Sequence, residues 1–211
     1  VFSDFRHGIF NRDSIPKLIE AIPQGAFRVA DSQVASRWGN ILDFKGFDLI
    51  TPNEREARHA LGDQDSVIRP LASRLYEDAG CKTLILKMGE RGSITQCAPV
   101  GEGHYLYIVP SFVTRLVDAV GAVDALLAYA SLARAVASNL VASILGSIAA
   151  SLECERDGNS PISSEDVLGR INELERQSQY GPLNESIRSI APRPSGASIP
   201  SISRANAAIV E

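Results

Sequence analysis

Cysteine and methionine are scarce in this 211-residue chain, and neither sign of charge dominates it. The three cysteines, Cys81, Cys97 and Cys154, are scattered, with no pairing pattern and no metal-ligand spacing. That excludes a disulfide framework and a cysteine zinc site, and it fits a reducing compartment. Each cysteine is expected to act as a small buried hydrophobe. The formal net charge is -4, so nothing draws the whole chain to nucleic acid or to an acidic membrane. Arg91 and Arg115 remain as local cations able to receive phosphate.

No apolar run reaches the roughly 18 residues that would suggest a membrane span. The stretch from Leu116 to Leu152, rich in Ala, Val and Leu, is interrupted by Asp118, Asp124, Arg134 and Asn139. It reads as two helices with small-residue packing faces. A secretory signal and an internal repeat are both lacking, and the cytoplasm is the expected location. The only methionine is Met88, and the opening Val1-Phe2-Ser3-Asp4 reads like the end of a buried strand. The chain is therefore expected to be a portion of a longer or processed protein.

What is present is an alternation of strand-like and helix-like segments. Asp13 or Ser14 can cap a helix through Ile22, with Pro16 in its first turn. Phe27–Asp31 and Phe47–Ile50 read as short apolar strands. Thr51 is a cap candidate for the next helix, with Pro52 at its first position and acids in its first turn. A helix from Ser66 to Ala79 stops at Gly80. Thr83–Lys87 is the clearest buried strand and runs into a two-glycine turn at Gly89 and Gly92. Ser93–Gln96 and His104–Val109 read as further strands. Long helices follow over Gly121–Val136 and Asn139–Cys154, and a last one from Ser163 to about Arg176. This order predicts an α/β domain with a mostly parallel sheet. Asp4, Asp31, Asn53, Gly89 and the Gly121 turn would share its carboxyl edge, where such sheets bind ligands. From Gly181 to Glu211 prolines and serines replace large apolar residues, predicting an extended tail or linker. The division is therefore 1–178 for the domain and 179–211 for the tail. Trp38, the only tryptophan, is assigned to packing.

One segment carries chemistry. In Asp118-Ala119-Val120-Gly121-Ala122-Val123-Asp124 a small-residue turn opens a long helix, with an acid before the turn and another at the helix start. Free amides and the positive end of the helix dipole make an anion site there. An acid beside it is placed to take a proton from a hydroxyl attacking a phosphate.

Together these motifs resemble the ribokinase-like sugar kinases, the phosphofructokinase B family. Asn53-Glu54-Arg55-Glu56 resembles the family's N-x-x-E motif, and Leu86-Lys87-Met88-Gly89-Glu90-Arg91-Gly92 its nucleotide-side strand and glycine turn. Asp118 to Asp124 resembles D-T-x-G-A-G-D. The resemblance covers about residues 1–178 and implies a three-layer α/β/α sandwich. It implies Asp124 as catalytic base and Gly121, Ala122 and Val123 as the anion hole. Lys87, Gly89, Gly92 and Asn159 would lie on the nucleotide, and Asn53 and Glu56 would hold magnesium through water. ATP and Mg2+ are the implied cofactors. Ser3-Asp4-Phe5-Arg6-His7-Gly8 is similar to the S-D-Y-G-K-G stretch of heptose-phosphate kinases, the kinase half of bifunctional ADP-heptose synthases. That makes Asp4 a candidate contact to a sugar or sugar phosphate. Asp31 falls where those proteins carry an aspartate after a strand.

Two departures stand out. Nothing corresponds to the family's first strands and its lid, so that half is expected as a covalent or separate partner; a homodimer is also compatible. Val123 stands where the family has a glycine, and a β-branched residue resists positive φ and narrows the backbone's approach to a ligand. Tyr129 replaces a small residue. The expected function is phosphoryl transfer from ATP to a sugar hydroxyl, with little or no activity from this chain alone. The alternative is a degenerate relative that binds nucleotide or a protein partner. A dinucleotide-binding oxidoreductase is disfavoured, because no G-x-G-x-x-G follows an early strand.

Overall fold

The computed structural model describes residues 1–34, 39–98 and 105–180. Trp38, His104 and the expected tail from Gly181 lie outside them. Residues Val1–Arg170 form one compact unit. From Ile171 on, the described residues are helical to Tyr180.

Six strands make one sheet in chain order: β1 (Phe2–Asp4), β2 (Val29–Ser32), β3 (Leu49–Ile50), β4 (Thr83–Lys87), β5 (Ser93–Cys97) and β6 (Tyr105–Val109). The first four run parallel and β4, β5 and β6 run antiparallel, so the sheet is mixed. Ser3 pairs with Asp31, Ala30 with Ile50, and Ile50 with Leu84. This register brings Asp4, Ser32, Thr51 and Lys87 to one carboxyl edge. β2, β4 and β5 are buried along their whole length, as strands covered on both faces are.

One face of the sheet is covered by α2 (Glu54–Leu61) and α3 (Ile68–Ala79), with α1 (Ser14–Glu20) contributing Ile15. The core there includes four phenylalanines, Phe2, Phe10, Phe44 and Phe47, with ring centroids 5.4 to 6.1 Å apart. Tilted and edge-on pairs at this spacing add to their burial. The other face carries α4 (Ala122–Val136), whose Leu126, Leu127 and Ala130 pack on Val29, Leu49 and Ile85. Beside it, α5 (Asn139–Cys154) reaches β5 through a Ser143–Thr95 hydroxyl pair at 2.6 Å. Helices α4 and α5 meet over small residues. A Cβ on Gly146 would lie 3.0 Å from the Leu126 carbonyl and 3.1 Å from Ala130 Cβ. The last helix, α6, spans Ser164–Tyr180 and so runs beyond Arg176. The result is the three-layer α/β/α sandwich.

Two expected caps move. Asn53, not Thr51, caps α2: its side chain accepts from the Glu56 amide, and Glu56 accepts from the Asn53 amide. Thr51-Pro52 stays extended because the Pro52 carbonyl accepts the Lys87 amide at 2.9 Å. Asp13 stands before α1 but makes no side-chain cap; Asn11 and Ser14 tie that turn instead.

Phe44 is fully buried at the centre of the phenylalanine cluster. Phe44→Ala is expected to cost about 3–5 kcal/mol, read as a lowered urea midpoint at unchanged slope.

Candidate active site

Gly121 closes the turn before α4 at φ +85° and leaves the helix start without a side-chain cap. The Ala122 amide donates weakly to the Ala119 carbonyl at 3.4 Å, and the amides that follow it lie at the positive dipole end without side-chain acceptors. Two oxygens crowd the turn from behind. A Cβ on Gly121 would lie 2.7 Å from both Asn159 Oδ1 and Glu153 Oε1. The position is thus closed to any side chain on two grounds, backbone angle and space.

Ala122 and Val123 line a cleft of about 600 Å³. Lys87, Gly89 and Gly92 form its opposite side, Pro110, Ser111, Val113 and Thr114 contribute an edge, and Ser151 and Cys154 close the α5 side. Gly92 is held at φ +81°, and a Cβ there would stand 2.1 Å from the Val109 carbonyl. The glycine turn is therefore pressed against the end of β6. Val123 lies inside α4, and Arg6 is the only non-glycine with positive φ among the described residues. The substitution at Val123 therefore leaves the backbone helical; its effect is the side chain it adds to the cleft wall.

Asp124 turns the other way. It is exposed, and the Ser3 hydroxyl approaches its Oδ1 at 3.5 Å, so it faces the end of β1. Asp118 accepts from the Val120 amide at 3.0 Å and shapes the turn. Tyr129 donates to the Ile162 carbonyl at 2.9 Å, tying α4 to the segment before α6.

Behind the cleft, three buried titratable side chains meet at the ends of β2, β3 and β4. The Lys87 ammonium lies 2.8 Å from Asp31 Oδ1, which also accepts the Thr51 hydroxyl at 2.8 Å. Glu56 is buried, with Oε2 on the Asn53 amide at 2.7 Å and Oε1 on the Asn53 side chain at 2.8 Å. Burial pushes the Glu56 carboxyl up; the Lys87 ammonium and the Asn53 amide oppose that, while Asp31 adds to it. Glu54, between the motif residues, pairs with Arg58 at 2.8 Å and with Arg91 of the glycine turn. Among the described residues no group of three or more side chains is arranged to chelate a metal. The donor set fits a cation that keeps its waters, since each Glu56 oxygen retains a lone pair.

Asp4 is buried in a different network. Its oxygens accept from the Arg6 amide at 2.8 Å and from Ser32 at 3.3 Å, and they pair with the Arg6 guanidinium at 3.0 Å. A second, shallower depression, of about 540 Å³, lies along α2 over Arg55, Arg58 and His59.

Sequence reasoning missed the Asp31–Lys87 pair, Glu153 and the Glu155 clamp. Glu155 accepts from the Thr114 amide and hydroxyl, both at 2.8 Å, and pairs with Arg170, holding the cleft's edge loop. A local signal existed only for the last two: Glu153-Cys154-Glu155 puts two acids at a helix end, where the dipole disfavours them.

The fold recurs in solved structures. Ribokinase from Thermotoga maritima aligns with TM-score 0.62 at 22% identity, over 76% of this chain and 53% of that one. Phosphofructokinase-2 from Escherichia coli, solved in complex with potassium, aligns with TM-score 0.65 at 19% identity, over 79% and 54%. The family model for pfkB family carbohydrate kinases matches residues 10–165. The chain belongs to that family. It is also similar to the bifunctional protein HldE of Geobacter metallireducens, 29% identical over 177 residues, which cover 81% of this chain and 34% of that protein. HldE of Chromohalobacter salexigens is 24% identical over 189 residues, covering 88% and 38%. The chain thus spans about a third of the length of these curated relatives. Among the described residues no helix is long and apolar enough to cross a membrane.

Two outcomes follow from this geometry. Gly121→Ala is expected to lower the melting temperature, read by calorimetry, because a Cβ there meets Asn159 and Glu153 at a positive φ. Burial alone would raise the Glu155 carboxyl, but Arg170 and Thr114 outweigh it and hold it at about 2. Its folded value lies below its unfolded one, so its stabilisation is full above about pH 5 and fades toward pH 2. Urea midpoints of the wild type and Glu155→Gln should differ at pH 6 and converge as the pH falls to 2.

Proposed function

We propose that this chain is the nucleotide-binding and base-bearing part of a kinase that moves the γ-phosphoryl of ATP to a hydroxyl of a sugar or sugar phosphate. The observation that carries this reading is the α4 turn. It presents Ala122 and Val123 to the cleft on one side and Asp124 to the end of β1 on the other. A phosphate held at the helix start would lie between them.

In this reading Gly89 and Gly92 let the backbone approach the nucleotide, Lys87 borders it, and Asn159 steadies the turn from behind. The amides of Gly121, Ala122 and Val123 receive the developing negative charge, which is worth most where it is fixed in advance. Asn53 and Glu56 hold magnesium through water. When bound, that ion supplies charge neutralisation at the phosphates. Asp124 takes the proton of the acceptor hydroxyl as its oxygen bonds to phosphorus. The bond from phosphorus to the bridging oxygen breaks, and ADP leaves with that electron pair. Asp4 acts on the sugar side through the network that shapes the β1 end. The cytoplasm is the proposed location. The acceptor would be completed by the family's first strands and lid, joined covalently or as a separate chain, at the edge where β1 lies.

The likeness of Ser3-Asp4-Phe5-Arg6-His7-Gly8 to the S-D-Y-G-K-G stretch of heptose-phosphate kinases supports a sugar phosphate as acceptor. A second reading, a relative that binds nucleotide without turnover, is favoured by the Val123 side chain in the cleft.

Titration with ATP and magnesium tests the nucleotide site; no heat up to millimolar ATP would sink both readings. Asp124→Asn is expected to lower any transfer rate by about 10²–10⁴-fold with nucleotide affinity kept, in a coupled ADP assay on a sugar panel. Val123→Gly should tighten ATP and raise that rate; an unchanged Kd would show that the side chain is harmless.

A further inference from the structure

Two carboxylates and one ammonium are buried together where β2, β3 and β4 end. Asp31, Glu56 and Lys87 are 3%, 6% and 9% exposed. Lys87 is bonded to Asp31 and is the chief opposite charge acting on Glu56. A charge added to or removed from this group is therefore only partly screened by water. Lys87 also lines the cleft, and its backbone pairs with Asn53 as an isolated parallel bridge. A change in the cluster's charge is thus felt directly at the phosphate side.

We propose that Asp31 and Lys87 set the net charge beneath the nucleotide's phosphates and thereby fix how strongly nucleotide binding depends on magnesium. This rests on the kinase reading above. Both are positioning residues: neither needs to touch the metal or the transferred group. The more negative this group is, the more it repels a metal-free nucleotide and favours one whose phosphates carry a divalent cation. Neutralising Asp31 weakens that bias, and neutralising Lys87 strengthens it. A direct contact between Lys87 and phosphate would behave otherwise, because no change at Asp31 could replace it.

The experiment is calorimetric titration of the full chain with ATP, once in excess magnesium chloride and once in EDTA. The readout is the ratio of the two Kd values. Asp31→Asn, nearly the same shape and still able to accept from Thr51, should lower the ratio about tenfold, the scale of one charge at partly screened range. Lys87→Met should raise it about tenfold, and the double variant should return it to about the wild-type value. Lys87→Met strands two buried carboxylates; if it fails to fold, Asp31→Asn decides alone, with its melting curve as the folding control. A folded Asp31→Asn whose ratio equals the wild type overturns the inference, as does a double variant that recovers its melting temperature but not its ratio. If the wild type binds no ATP in either buffer, the kinase reading falls and takes the inference with it.

Discussion

The Lys87 side chain and backbone together join the parts on which the site depends. Its ammonium is held by Asp31 at the end of β2, and its amide is held by the Pro52 carbonyl after β3. Buried ion pairs often contribute little net stability, because desolvation offsets attraction. Their removal in halves is another matter, since the partner is left charged and unsatisfied. The value of this pair is therefore geometric. It holds three strand ends in one register and sends the chain into α2 at Asn53 rather than at Thr51. The N-x-x-E segment consequently arrives facing the glycine turn, to which Glu54 is tied through Arg91.

Glycine imposes the second constraint. At Gly92 the turn presses on the Val109 carbonyl, and at Gly121 the α4 start is backed by Glu153 and Asn159. Both leave room for backbone only. The two turns flank the cleft, and neither can relax outward without losing its packing. Glu153 adds an electrostatic element: its Oε1 accepts the Ser160 amide at 3.0 Å, while its buried Oε2 has no hydrogen-bond partner.

Local pattern carried the sequence reading far. Thr83–Lys87 is a strand with its expected bounds because a run of buried β-formers leaves little choice. Asn139–Cys154 is likewise the expected helix, started by Ser138, which accepts from the Val141 amide. The motifs fell where the strand order puts a ligand edge. What could not be read was non-local. The cap at Asn53 depends on a carbonyl claimed by a residue 35 positions away along the chain, Lys87 on Pro52. The Asp31–Lys87 pair spans 56 positions. Arg6 and Asp4 looked like part of a sugar motif, yet the buried guanidinium that fills the Asp4 site comes from a residue at φ +60°, a backbone state no pattern announced.

Val123 shows how a motif departure must be weighed in three dimensions. Read as a sequence, the lost glycine threatens the backbone of the anion hole. In the structure that backbone is helical, and valine accommodates a helical φ at small cost. The turn that does need a positive angle, Gly121, has kept its glycine. What valine changes is the volume of the cleft wall, on the side of the turn opposite Asp124. In the proposed reading, binding and transfer would be addressed from separate faces of one helix start. On that reading, a larger side chain on the cleft face would weaken the hold on phosphate and leave Asp124 in place. On that reading the acceptor hydroxyl would come to the β1 end, where Ser3 already leans on Asp124.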